Sequence, residues 1–88
     1  NYSISVIGEV KNVGVYNPKR KITTIGIVAL AGGFTKYASR SKVKIFRNEN
    51  GEYKVIEINI EKILKKKDMS IDIILKSGDI VFVPTRAL

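Results

Sequence analysis

Ile80-Val81-Phe82-Val83, entered through the turn Lys76-Ser77-Gly78-Asp79 and left through Pro84, is the stretch that decides the fold. Four apolar residues in a row, β-branched or aromatic, suit an extended strand better than a helix. A strand that is apolar on both sides needs both faces covered, which places it in the middle of a sheet. The rest of the chain must supply its neighbours.

Working outward, residues 3–10 alternate Ile4 and Val6 with Ser5 and Ile7, the period of a strand, with Gly8 as a bulge or close-approach point. Lys11-Asn12-Val13-Gly14 is turn chemistry, and Val15-Tyr16 restarts an extended segment before Pro18, so a hairpin is expected over about residues 3–17. Residues 43–47 and 53–58 read as two further strands. Asn50-Gly51 between them is a hairpin signal, although Asn48 and Glu49 suggest a loop longer than two residues. Residues 71–75 read as a short extended segment leading into the turn.

Two helices fill the gaps. Thr23 is placed as an N-cap, with Ile22 before it and Ile27 four residues after it in the spacing of a hydrophobic staple. This main helix runs through Ile25, Val28, Ala29 and Leu30 and stops at Gly32-Gly33, where a left-handed residue is sterically free. Gly26 inside it costs about 1 kcal/mol relative to alanine. Asn59 caps a short second helix with Ile60, Ile63 and Leu64 on one face and Lys65, Lys66 and Lys67 at its C-terminal end, where the dipole favours cations. The predicted fold is α+β: a β-grasp-like mixed sheet crossed by one main helix, with a second short helix.

The chain has 88 residues, enough for one compact helix-on-sheet layer and too few for a deep cleft between domains. It contains no cysteine and no histidine, so disulfides, thiolate or imidazole ligands, cysteine nucleophiles and histidine bases are all excluded. No phosphate-cradling loop occurs, no carboxylate pair reads as an acid/base dyad, and no serine has an activating partner in a supporting motif. Asp72 and Asp79 flank a turn and are read as backbone hydrogen-bonding residues. The expectation is a non-enzymatic domain without cofactor or metal. It begins at Asn1 rather than methionine and is read as a piece of a longer protein.

Charge is the one pronounced compositional feature. Sixteen Lys and Arg stand against eight Asp and Glu, a formal charge of +8 that favours anionic partners and equally describes a lysine-rich surface that keeps a domain soluble. Two basic groups are the candidate anion-binding residues: Lys19, Arg20 and Lys21 before the main helix, and Lys36, Arg40, Lys42 and Lys44 after it, with Tyr37 among them. Tyr37 and Tyr16 have faces on which sugar rings or bases can stack. The same residues also read as a solvated rim whose tyrosines pack on the sheet. The run Lys65-Lys66-Lys67 reads as dipole complement and solubility.

Three blocks, in order and spread over nearly the whole chain, resemble the SLBB (soluble-ligand-binding β-grasp) family. Residues 6–16, VIGEVKNVGVY, are similar to the family's opening G-x-V-x-x-P-G-x-Y hairpin, with Val13 at the usual proline. Ala29-Leu30-Ala31-Gly32-Gly33-Phe34-Thr35 resembles its A-x-A-G-G-hydrophobic helix end. Residues 75–84, LKSGDIVFVP, resemble its closing L-x-x-G-D-x-V-x-V-P strand. Residues 41–66 look most like the polysaccharide-export branch.

The resemblance implies a single SLBB-type domain over residues 1–88, part of a longer export protein. It also implies a place in the periplasm, within an outer-membrane-associated protein of capsular or exopolysaccharide export. The partners it implies are further copies of the chain in a ring with head-to-tail contacts, the exported polysaccharide, and an inner-membrane synthesis or co-polymerase complex. The basic face would line the passage of an acidic polymer or meet a neighbouring subunit. The alternative it leaves open is a soluble-ligand- or DNA-binding SLBB module of a competence or other envelope protein. Scattered lysines with few arginines make base-specific nucleic-acid reading a poor fit. A ubiquitin-like carrier working through a terminal Gly-Gly is the lesser expectation, and the ending Thr85-Arg86-Ala87-Leu88 argues against it.

Overall fold

The structure, a computed structural model, describes residues 2–87. Five strands form one mixed sheet: β1 (Ile4–Gly8), β2 (Gly14–Tyr16), β3 (Val43–Glu49), β4 (Glu52–Ile58) and β5 (Ile80–Val83), in the order β2-β1-β5-β3-β4. β5 is central, as expected. It runs parallel to β1, with Val6 opposite Val81, and antiparallel to β3, with Ile45 opposite Val81. The other two pairings are antiparallel hairpins. Helix α1 (Thr24–Leu30) crosses one face of this sheet, and α2 (Ile60–Lys66) buries Ile60 and Ile63 in the same core, which is a β-grasp-like α+β arrangement.

The core lies between sheet and helices and is built almost wholly from Ile and Val: Ile4, Val6, Val43, Ile45, Val81 and Val83 from the strands, Ile27 and Val28 from α1, Ile60 and Ile63 from α2. Each such side chain contributes about 1.5–3 kcal/mol by leaving water. Leu64 departs from the expected face of α2 and is exposed, while Ile60 and Ile63 are buried.

Local capping follows the sequence reading and then exceeds it. Thr23 Oγ1 accepts from Gly26 N–H at 3.2 Å, and Gly32 and Gly33 N–H donate to the Ala29 and Val28 carbonyls, closing α1 with a Schellman pair. The first turn of α1 contains no acidic residue. Asp72, far along the chain, supplies one, its carboxylate accepting from Thr24 N–H and Ile25 N–H at 3.2 Å each. Gly26 is explained by space: a Cβ there would stand 2.6 Å from Ile22 Cγ1, so the glycine admits the side chain that enters the helix.

Three further expectations are corrected. The β3–β4 loop is only Asn50-Gly51, both with positive φ. Asn48 and Glu49 belong to β3, and Asn48 Oδ1 accepts from Gly51 N–H at 3.0 Å. Residues 71–75 are not wholly extended, because a single 3₁₀ turn spans Met69–Ile71 before Ile74 bridges Thr23. Most important, β5 is central without being covered on both sides. The registers put Ile80 and Phe82 on the face opposite the helices, where both are only half-buried while Val81 and Val83 are fully buried.

Candidate functional site

Three segments converge beyond the end of β5. Residues 84–86 run against residues 37–39, with Ser39 N–H donating to the Pro84 carbonyl at 2.8 Å and Arg86 N–H to the Tyr37 carbonyl at 2.7 Å. On the other side Val10 bridges Phe34, and Lys11 N–H donates to the Gly33 carbonyl at 3.0 Å. These backbone links hold open a cleft of about 680 Å³. Lys11, Lys36, Arg40 and Arg86 line it together with Phe34 and Tyr37, and no acidic side chain does. Lys36 Nζ sits 5.2 Å from the centre of the Tyr37 ring, a cation–π contact that orients the ring, while about half of Tyr37 stays exposed.

Glu9 stands behind the cleft as its fastener. Its carboxylate accepts from the Thr35 hydroxyl at 2.7 Å and the Thr85 hydroxyl at 2.9 Å, tying together the three converging segments. Those two hydrogen bonds hold the Glu9 carboxyl below the usual carboxylate range, the Thr35 bond most strongly. A depressed folded-state pKa means that the stabilisation is present above the unfolded-state pKa and is lost as pH falls through the folded value. Thermal denaturation should therefore be flat from about pH 7 to 5 and decline below about pH 4. Glu9→Gln should shallow that decline without abolishing it, because Glu49, Glu57 and Asp68 are also held low by their partners. Superimposable profiles for the two proteins would show that the Glu9 link adds nothing.

The structure sorts the candidate residues into separate places. Lys36, Tyr37 and Arg40 share the cleft. Lys42 is exposed and does not line it, and Lys44 projects from the open sheet face, where its ammonium pairs with Glu57 at 2.8 Å. Lys19, Arg20 and Lys21 border a second open groove of about 490 Å³ that Tyr16, Pro18 and Leu30 also line. Tyr16 packs against the core and donates its hydroxyl proton to the Asn12 carbonyl, whereas Tyr37 remains available. Sequence reasoning missed Lys11 and Arg86. Lys11 sat inside a turn, and Arg86 followed the last strand. Only the sheet's closure brings these two ends of the chain together.

Comparison with known families falls on this frame. The model of the SLBB domain matches residues 3–83, nearly the whole chain. The chain belongs to the SLBB-domain family. A search of curated proteins finds no match. The SLBB match ends before Arg86, so one wall of the cleft is contributed by a residue outside the matched segment. Among the described residues of this SLBB domain, no group of three or more side chains is placed to hold a metal ion, and no helix is long and apolar enough to cross a membrane. An SLBB domain with such a cleft points to a ligand-binding module.

Proposed function

We propose that this SLBB domain is a non-catalytic binding and assembly module of a capsular or exopolysaccharide export protein, and that its cleft holds an acidic stretch of the polymer. The observation that carries the reading is the cleft itself: four cations and a half-exposed tyrosine around a wall free of carboxylates. A sugar ring lies against an aromatic face, while Arg40 and Arg86 offer planar donor forks that suit a carboxylate substituent. In this reading the domain works in the periplasm as part of an outer-membrane-associated protein. Further copies of the chain surround the passage, and an inner-membrane synthesis complex delivers the polymer. A second reading, a soluble anionic ligand bound by an envelope protein, draws support from the cleft volume, which lies in the range of small-molecule sites.

An NMR amide-shift titration with an acidic oligosaccharide, its neutral counterpart and a DNA oligomer, at two salt concentrations, separates these readings. Shifts at Lys11, residues 34–40 and Arg86, with the acidic sugar binding at least tenfold tighter than the neutral one at both salts, are the expected result. Lys36→Glu/Arg40→Glu should weaken that binding by on the order of tenfold, about 1.4 kcal/mol. Equal, salt-labile shifts with DNA and sugar would reduce the cleft to general charge attraction. Absence of shifts would remove the polymer from this domain.

A further inference from the structure

The lysines of α2 take no part in the cleft, but they stand at its margin. Arg40, which lines the cleft, also lines a hollow of about 160 Å³ together with Glu61, Leu64 and Lys65. Glu61 and Lys65 in turn line the next hollow, of about 230 Å³, with Lys62 and Lys66. The cleft and the two hollows therefore follow one another across the surface, each sharing a side chain with the next. Backbone fixes the junction: Ile60 N–H donates to the Arg40 carbonyl at 2.9 Å and Glu61 N–H to the same oxygen at 3.4 Å.

The helix dipole does not account for this row of cations. Lys65 and Lys66 lie in the last turn of α2, where the dipole favours them. Lys62 lies in the first turn, where the dipole opposes a cation, and the three share one face because they are three and four residues apart. Leu64, 53% exposed, adds apolar surface beside Arg40 and Lys65 on which the C–H face of a sugar ring can rest. Among the described residues, the one carboxylate lining either hollow is Glu61. It meets Lys65 at 3.5 Å with both side chains exposed, a contact of small worth. Asp68 stands close enough to Lys62 to feel its charge, but its hydrogen bonds go to Ser70. Arg40, Lys62, Lys65 and Lys66 outnumber these two carboxylates.

We infer that the α2 hollows are a second subsite for a chain anchored in the cleft, so that the ligand is an acidic polysaccharide segment several residues long rather than a single small anion. The inference rests on the reading of the cleft as an acidic-sugar site and narrows it. Size carries the argument. At about 160 and 230 Å³ the hollows fall below the roughly 300–1,000 Å³ of a site that encloses a small molecule, whereas the cleft, at about 680 Å³, lies within that range. The hollows can hold only what the cleft has already tethered, and for a tethered chain their contacts form at high effective concentration.

The test is calorimetric titration with a length series of one acidic homopolymer, from the disaccharide upward, at physiological ionic strength. Affinity should rise at least tenfold along the series and then level off, more than the extra binding registers of a longer chain supply. Lys65→Ala/Lys66→Ala, a change at two exposed positions, should remove that gain from the longer members and alter disaccharide binding less than twofold. Lys67→Ala takes a charge from the same run at a residue that lines neither hollow, and should alter neither. Affinity that does not rise with length would overturn the inference. So would equal losses at every length in the double variant, or a loss in Lys67→Ala as large as in the double variant, since either is the mark of a general field. In each of these cases the disaccharide still binds the cleft and the reading of the cleft stands. A disaccharide that fails to shift the amides of residues 34–40 would overturn both.

Discussion

Gly8→Ala should destabilise the domain by about 3–5 kcal/mol, a large share of the roughly 4–13 kcal/mol expected for a chain of 88 residues. Gly8 ends β1 with φ +94°, a conformation that an L side chain rarely adopts. A Cβ there would lie 2.1 Å from the Val83 carbonyl oxygen, the same oxygen that accepts from Glu9 N–H at 2.8 Å. The clash is with backbone, so no rotamer change relieves it. Only separation of β1 from β5 would, and that pairing lies at the centre of the sheet. Urea denaturation measures the loss, with Gly33→Ala as the control. Gly33 has φ +92° and open space around it, so alanine there carries the conformational cost of about 1–2 kcal/mol without the clash. Equal losses at the two positions would remove the close approach as the cause.

Gly8 also shows what was legible in the sequence. A glycine interrupting an alternating strand marked a close approach, but the alternation named no partner for it. The partner, Val83, is supplied by a parallel pairing between the two ends of the chain. The same division runs through the molecule. Thr23, Asn59 and Gly32 announce their roles within a few residues, and each is found capping the helix it flanks. Asp72 and Asp79 read as turn residues because their partners, the Thr24 and Ile25 amides and the Arg47 guanidinium, are remote in sequence. At the cleft, Lys36, Tyr37 and Arg40 could be grouped because they sit on one loop. Lys44 was grouped with them by spacing alone, and strand alternation sends it to the opposite face of the sheet. The apolar character of β5 was visible, but composition does not distinguish a face covered by the chain's own helix from one left open. Ile80 and Phe82 are the residues at which that difference appears.

Asp79→Ala is the second substitution expected to cost about 3–5 kcal/mol, through the loss of a buried ion pair. The Asp79 side chain is 1% exposed and that of Arg47 11%. The guanidinium grips the carboxylate with two groups, Nη2 at 2.8 Å from Oδ2 and Nε at 3.1 Å from Oδ1, while Lys76 N–H donates to Oδ2 at 2.8 Å. The hydrogen bonds to Asp79 raise the Arg47 pKa above its ordinary value, so the cation persists at every accessible pH. Removal of the carboxylate leaves that cation largely buried and unpaired, and it opens the turn that delivers the chain into β5. Arg47→Met strands the carboxylate instead, leaving it the Lys76 amide among the described residues, and should cost a similar amount. The double variant should cost clearly less than the sum, because neither charge is left alone. The pair also pins β3 to β5 one residue from the Phe46–Ile80 register, so its loss should loosen the start of β5 first. Amide exchange at Ser5, whose N–H bonds to the Asp79 carbonyl, should then accelerate in Asp79→Ala before the remote Val43–Ile58 pairing opens. Strict additivity of the two single costs, with unchanged exchange at Ser5, would confine Asp79 to closing its own turn.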